Sequence, residues 1–334
     1  MELLRSETHR ARTLPPGSSE PVDVPVEVRW DPLTGHTTRL VASRGALMPR
    51  NDFDLHALAD ETATTCPFCG DSLDALTPRL LPEISHQGRI RRGEAVLFPN
   101  LLAYAKHASV SVYTARRHYL PLGDMTPELV GDNLAAQVAF AKAVQGFDPE
   151  SRWASISANH MLPSGSSLFH PHMQGAVDPT PTTMQRMLAE TPAERFAGYL
   201  DAERADGRRY LGSTGSVEWL ASFAPILPAE LRAFVPGWAS PAELSPSLVE
   251  ELGRGIAIAL GLYAEMGYES FNLAVYGAPP ATRGYPLNLR IGLRSNLKPL
   301  YRSDATYLER LHWEGAIDLF PEELAELAGD RFRG

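Results

Sequence analysis

The sequence predicts an α+β fold made of two fused repeats, each an antiparallel sheet with packed helices. Three observations predict it. The order strand, strand, helix, strand, Gly/Pro-rich loop, strand occurs twice along the 334 residues. Both long amphipathic helices open on similar signals, Met125-Thr-Pro-Glu-Leu-Val130 and Ser245-Pro-Ser-Leu-Val249. Short β-type runs bracket each helix.

Composition narrows the function. With 44% hydrophobic and 21% charged residues, the chain has an ordinary soluble globular make-up and is long enough for two domains or two fused repeats. The net charge is −9, the pI is about 5.6 and no Lys/Arg block stands out, which excludes a nucleic-acid partner. No run approaches the roughly 20 apolar residues that span a bilayer. Residues 1–20 are polar and lack an apolar signal region, so residues 1–24 are expected to be a flexible leader and the protein cytoplasmic.

In chain order, residues 26–43 read as a hairpin around the turn signal Asp31-Pro-Leu-Thr-Gly35. Arg44 and Arg50 follow its second strand; they are either solvated loop charge or a fork for phosphate oxygens. Thr65-Cys-Pro-Phe-Cys-Gly70 is a knuckle-like turn holding the only two cysteines. Cys66 and Cys69 suit one tetrahedral ion but supply half its ligands, so histidines must complete it, with His118 and His170 as candidates. The alternative is a redox dithiol or two free thiols.

Residues 94–101 and 107–114 read as adjacent strands. Residues 127–147 read as a helix, because Val130, Leu134, Val138 and Ala141 recur every three or four residues. Residues 152–159 read as a strand and 161–167 as a Pro/Gly/Ser loop. After a charged helical connector over 179–207, the pattern begins again. Strands are expected at 219–223 and 231–235, a helix at 246–266, a strand at 270–276, a Gly/Pro loop at 277–284 and a strand at 287–293.

The stretch Gly165-Ser-Ser-Leu-Phe-His-Pro-His-Met-Gln174 places His170 and His172 two residues apart, with an amide at Gln174. On a strand these three side chains share one face. Such a row can bind a metal, hold a phosphate or present a nucleophile; by itself the spacing is equally a chance surface pair. The corresponding row of the second repeat is Leu287-Asn288-Leu289-Arg290, without imidazoles. One copy is therefore expected to be chemical and the other a degenerate partner.

With these residues in view, the chain resembles the galactose-1-phosphate uridylyltransferase family, a branch of the histidine-triad-like superfamily. The similar segments are Arg29-Trp-Asp-Pro-Leu-Thr-Gly35, Cys66-Pro-Phe-Cys69, Phe98-Pro-Asn100, the His118 region, Asn159, Gly165-Ser-Ser167 and His170-Pro-His-Met-Gln174, in the family's order. The resemblance implies two histidine-triad-like repeats, a catalytic one over 25–190 and a degenerate one over 191–334. It implies one structural zinc held by Cys66, Cys69, His118 and His170. It makes His172 the nucleophile that becomes nucleotidylated, with Gln174 and Ser167 hydrogen-bonding the transferred phosphoryl group. Arg44, Asn100, Asn159 and Gly165 would line the nucleotide site.

The residue chemistry agrees. A neutral imidazole is a good phosphorus nucleophile at pH 7. A covalent nucleotidyl-histidine splits displacement between two anionic substrates into two in-line steps. His170, as a metal ligand, would fix the strand and so the aim of His172. Gln174 can donate to non-bridging oxygens as charge builds there.

Two departures bear on the substrate. The family's acceptor-sugar segment, of Lys-Phe-x-Val-Gly-Tyr-Glu type, is absent; the region reads Thr306-Tyr-Leu-Glu-Arg-Leu-His-Trp-Glu314. A second metal site found in some members needs a His-x-His where Asn288 and Arg290 stand. The donor half is kept and the acceptor half is not, so neither galactose 1-phosphate as acceptor nor uridine as base is expected. The leading expectation is a nucleotidyltransferase. It would pass a nucleoside monophosphate through His172 from a nucleotide sugar or nucleoside polyphosphate to a phosphorylated acceptor. One rival is a phosphorylase or hydrolase that resolves the same intermediate with inorganic phosphate or water, as related dinucleoside polyphosphate and nucleotide-sugar phosphorylases do. The other is a non-catalytic zinc-bearing nucleotide-binding protein. A homodimer is compatible with each.

Overall fold

The computed structural model describes residues 3–41, 53–298 and 304–333. The first half of the chain forms β1 (Ser6–Thr13), β2 (Val22–Trp30), β3 (Thr37–Leu40), α1 (Leu55–Ala63), α2 (Ser72–Leu76), β4 (Ile90–Arg92), β5 (Ala95–Pro99) and β6 (His107–Val112). Then come α3 (Pro127–Phe147), β7 (Trp153–His160), β8 (His172–Asp178), α4 (Thr183–Ala189) and α5 (Ala193–Asp206). The rest forms β9 (Tyr210–Thr214), β10 (Val217–Ala221), β11 (Leu231–Val235), α6 (Pro246–Glu265), β12 (Phe271–Tyr276), β13 (Leu287–Leu293), β14 (Gly315–Ile317) and α7 (Pro321–Ala328).

A small sheet has the order β1-β2-β3-β14. The large sheet runs β4-β5-β6-β8-β7-β12-β13-β11-β10-β9, with antiparallel pairing throughout. Read from its two edges inward, β4-β5-β6-β8-β7 matches β9-β10-β11-β13-β12. Helix α3 follows β6 as α6 follows β11. The large sheet is thus the two repeats laid side by side, and the β7–β12 pair is their seam.

Each long helix starts as its cap residues dictate. Thr126 accepts the Leu129 amide and Ser245 accepts the Leu248 amide, each with a proline in the first turn. The buried stripe of α3 includes Val130, Leu134, Val138 and Ala141, as the periodicity requires. A buried polar seam joins this helix to β6. Gln137 Nε2 donates to Ser111 Oγ at 2.7 Å, and Gln137 Oε1 accepts from Ser109 Oγ at 2.9 Å. The seam fits because β8 carries glycine at 175; a Cβ there would meet Gln137 Oε1 at 2.1 Å. Helix α3 therefore packs flush on the strand that carries His172.

Residues 6–13 correct the expectation of a flexible leader over residues 1–24. They form β1, paired with β2 from Ser6↔Arg29 to Thr13↔Val22. Strand β1 is exposed along its whole length, so nothing selects a hydrophobic alternation in it; the backbone of β2 supplies the order. The charged connector is two helices rather than one, broken ahead of Pro192, with Thr182 and Gln185 forming a capping box at the start of α4. No helix among the described residues is long and apolar enough to cross a membrane.

The hairpin turn does more than reverse the chain. Asp31 Oδ1 accepts from the amides of Leu33 (3.0 Å) and Thr34 (2.9 Å), an Asx turn. Its Oδ2 reaches the second repeat, 2.9 Å from Arg232 Nη1 and 2.7 Å from Arg290 Nη2. Arg290 also meets Glu230 at 2.6 Å, and all four side chains are buried. Arg290 lies on the face of β13 that corresponds to the His172 face of β8, because Leu287, Leu289 and Ile291 point to the helix side. An ion-pair cluster thus stands where the first repeat carries its imidazoles.

Burial opposes ionisation of Asp31, but Arg232 and Arg290 outweigh it and hold the carboxyl well below its usual range. A depressed pKa means the pairing stabilises the fold at neutral pH and is lost as pH falls through the folded value. Asp31→Asn leaves two buried guanidinium groups short of counter-charge. It is expected to cost about 3–5 kcal/mol, read from the denaturant midpoint at pH 7; an unchanged midpoint would contradict this.

Candidate active site

Two clusters meet at the start of β8. In the first, the knuckle between α1 and α2 brings Cys66 and Cys69 together, the segment after β6 adds His118 and the loop before β8 adds His170. The four ligand atoms lie within 4.8 Å of one another. Cys69 Sγ is 3.2 Å from His118 Nδ1 and 3.4 Å from His170 Nδ1, and Cys66 Sγ is 3.6 Å from His170 Nδ1.

The outer hydrogen bonds set both tautomers for metal binding. His170 Nε2 lies 2.8 Å from the Thr114 carbonyl, which can only accept, so Nε2 carries the proton and Nδ1 offers a lone pair. Thr62 Oγ1 donates to the Leu58 carbonyl at 2.8 Å, so it accepts from His118 Nε2 at 2.9 Å and leaves His118 Nδ1 free. Burial lowers His118 and pushes His170 down to about 4, which keeps both rings neutral at pH 7. Burial and the adjoining Cys66 push the Cys69 thiol up to about 12, the response expected of two thiols packed where a cation is needed to hold them as thiolates. Two sulfurs and two ring nitrogens in this arrangement suit a tetrahedral divalent ion with no open position.

The second cluster is built on the strand face opposite α3. Met173 is fully buried in the core shared with α3, so His172, Gln174 and Ala176 alternate to the other face. Gln174 is opposite Ser157 on β7, and alternation along β7 puts Asn159 on the same face as Ser157. His172 is buried, and its Nδ1 lies 2.8 Å from the His170 carbonyl. That carbonyl fixes the proton on Nδ1 and leaves the Nε2 lone pair unprotonated. Burial lowers the His172 pKa against the opposing pull of the same carbonyl. Phe68 makes T-shaped ring contacts with His170 at 6.0 Å and His172 at 5.6 Å between centroids, so the knuckle buttresses both imidazoles.

From Gln174 a groove of about 340 Å³ runs along β7 and β8, walled by Tyr104, Trp153, Asp178 and Thr182. Its size falls within the range of small-ligand pockets. Gln185 of α4 ties the groove to the seam, donating to the carbonyls of Ala154 (3.1 Å) and Gly277 (2.7 Å). Residues 281–286, from the Gly/Pro loop ahead of β13, line a different cleft of about 670 Å³ against α5, which shares no lining residue with this groove.

The other expected site residues fall as follows. Gly165 takes a left-handed conformation (φ +94) that caps the turn after β7. Ser167 is exposed two residues beyond it, while the neighbouring Ser166 is turned inward and donates to the Leu168 carbonyl at 2.7 Å. Asn100 accepts the Leu102 amide at 3.0 Å, so its side chain shapes the loop that carries Tyr104. Arg44 and Arg50 lie outside the described residues. Two residues were missed from sequence. Phe68 was hidden inside the Cys-x-x-Cys turn. Asn272, on β12, donates to Asn159 Oδ1 at 2.7 Å, and its only signal is its register with β7.

This architecture is shared with solved structures. An ADP-glucose phosphorylase of Arabidopsis thaliana, solved with bound ADP-glucose, superposes with a TM-score of 0.66 at 17% identity, covering 91% of this chain and 97% of that one. A GalT-like protein of the same plant gives 0.65 at 16% identity, covering 90% and 97%. A uridylyltransferase gives 0.57 at 20% identity, covering 92% and 98%. The fold is therefore one shared with an ADP-glucose phosphorylase, a GalT-like protein and a uridylyltransferase. More narrowly, the chain belongs to one family with a protein of Archaeoglobus fulgidus described only as uncharacterized. The two are 30% identical over 337 residues, covering 96% of each. No family model matches the sequence.

Proposed function

We propose that the protein is a nucleotidyltransferase that works through a covalent nucleotidyl-His172 intermediate. The observation that carries the reading is the fixed tautomer of His172. Nδ1–H is held by the His170 carbonyl, and among the described residues Nε2 has no partner on the face shared with Gln174 and Asn159. The fold shared with an ADP-glucose phosphorylase and with uridylyltransferases supports it. The catalytic repeat is taken as residues 25–190 and its degenerate partner as 191–334.

In the first step His172 Nε2 attacks the α-phosphorus of a nucleotide sugar or nucleoside polyphosphate. The N–P bond forms, and the bond to the bridging oxygen breaks, leaving with its electron pair on the sugar phosphate. The ring becomes an imidazolium, whose Nδ1–H the His170 carbonyl is already placed to hold. Gln174, Ser167 and Asn159 donate to the non-bridging oxygens, and Gly165 leaves room for them. In the second step an acceptor phosphate oxygen attacks, the N–P bond breaks and the ring returns to neutral. Cys66, Cys69, His118 and His170 would hold zinc, which supplies structure by tying the knuckle to the start of β8.

The acceptor is the open half. Residues 306–314 hold no family acceptor motif, and Glu314 is tied instead to Arg39 at 2.7 Å. A small acceptor, inorganic phosphate, is therefore the second reading, which makes the enzyme a nucleotide-sugar phosphorylase. Galactose 1-phosphate is expected to give no useful turnover. Discharging the labelled enzyme in parallel with galactose 1-phosphate, other sugar phosphates and inorganic phosphate decides this; efficient transfer to galactose 1-phosphate would contradict it.

A further inference from the structure

We infer that Asn272, from the second repeat, is a positioning residue that fixes which way the Asn159 amide faces. The inference rests on Asn159 being a nucleotide-site residue, as proposed above. Asn272 Nδ2 lies 3.0 Å from the Ser164 carbonyl and 2.7 Å from Asn159 Oδ1. A backbone carbonyl only accepts, so the Asn272 atom facing Ser164 must be the NH2 group. The same nitrogen faces Asn159, which must then present its oxygen to it. The NH2 of Asn159 is thereby turned away, toward Gly165: a Cβ built on Gly165 would lie 3.9 Å from Asn159 Nδ2.

That direction is the useful one. An asparagine amide has two broad orientations about its last torsion, so an unheld Asn159 would spend time with its oxygen toward an incoming phosphate. Asn272 removes that orientation before the substrate arrives. The same nitrogen also holds the Ser164 carbonyl, on the turn just ahead of Gly165. One amide thus sets both the donor and the loop beside it. Asn272 and Asn159 are direct partners in the β7–β12 register. The repeat without imidazoles therefore reaches the chemistry of the other across the seam.

The test measures covalent adduct formation from ADP-glucose and UDP-glucose by Asn272→Ala, Asn159→Ala and the double variant. Asn272→Ala is expected to slow the maximal rate about tenfold or more, with little change in the donor concentration giving half of that rate. Asn159→Ala is expected to slow it at least as much. The double variant is expected to be no slower than Asn159→Ala, because Asn272 acts through Asn159. Asn272→Ser, which keeps a short donor, is expected to recover part of the rate. Losses that multiply in the double variant, a full rate in Asn272→Ala, or losses that follow the melting temperature across all variants would each overturn the inference. If the wild-type protein forms no adduct, it is the proposed function that fails. Positioning is then read from the side-chain amide nitrogen–proton signals of Asn159. A shift on Asn272→Ala upholds it and an unchanged pair of signals overturns it.

Discussion

His172→Ala is expected to keep its metal and its fold while losing nucleotidyl transfer by several orders of magnitude. His172 supplies no atom to the Cys66–Cys69–His118–His170 cluster, although it stands two residues from His170. Among the described residues its ring has one hydrogen bond, to a carbonyl, and one aromatic contact, with Phe68, so truncation is expected to remove little that supports the core. What goes, on the proposed mechanism, is the step that makes the covalent bond. Removing a covalent nucleophile elsewhere costs about 10⁶ in kcat. His172→Gly leaves a cavity, and added imidazole is expected to restore part of the turnover. Metal content and turnover measured on one preparation check this. Unchanged turnover in His172→Ala would place the chemistry elsewhere.

Cys66→Ser and His170→Ala are expected to fail in the opposite order, with metal and stability lost first and activity as a consequence. In isolated zinc peptides the binding free energy, about 10–16 kcal/mol, is folding free energy. In this chain the large sheet and its helices bury a core of their own away from the cluster, so the loss is expected to be local. Helix α1 is joined to the cluster through Thr62, and β8 through His170. Without the ion the turn carrying Phe68 is free to move, and His172 loses its backing. Elemental analysis and thermal melts of the variants check this. Full metal occupancy in Cys66→Ser would exclude that cysteine as a ligand, and equal loss of metal in His170→Ala and His172→Ala would mean their roles are wrongly divided.

Much of the site was legible because strand periodicity is simple. His172 and Gln174 share the strand face that alternation gives them, while His170 stands in the loop ahead of β8 and turns to the thiols. The two histidines singled out lie beside Cys66 and Cys69. The duplication was legible because each long helix has a cap and an apolar stripe. What stayed hidden depends on distance in sequence. Asp31 meets Arg232 and Arg290 across 201 and 259 residues, contacts that no local pattern encodes. Asn272 has the same difficulty, since its meaning lies in the β7–β12 register. Strand β1 was hidden for another reason: a strand exposed on both faces carries no periodic burial to read.

The central claim is that His172 becomes nucleotidylated. The most direct measurement is the intact mass of the wild-type protein after incubation with nucleotide sugars and dinucleoside polyphosphates in the absence of acceptor, followed by peptide mapping. The expected result is a gain of one nucleoside monophosphate, carried on His172, labile to acid and discharged when the acceptor or inorganic phosphate is added. A donor that is turned over with no such gain, or with the adduct mapped to another residue, would contradict it.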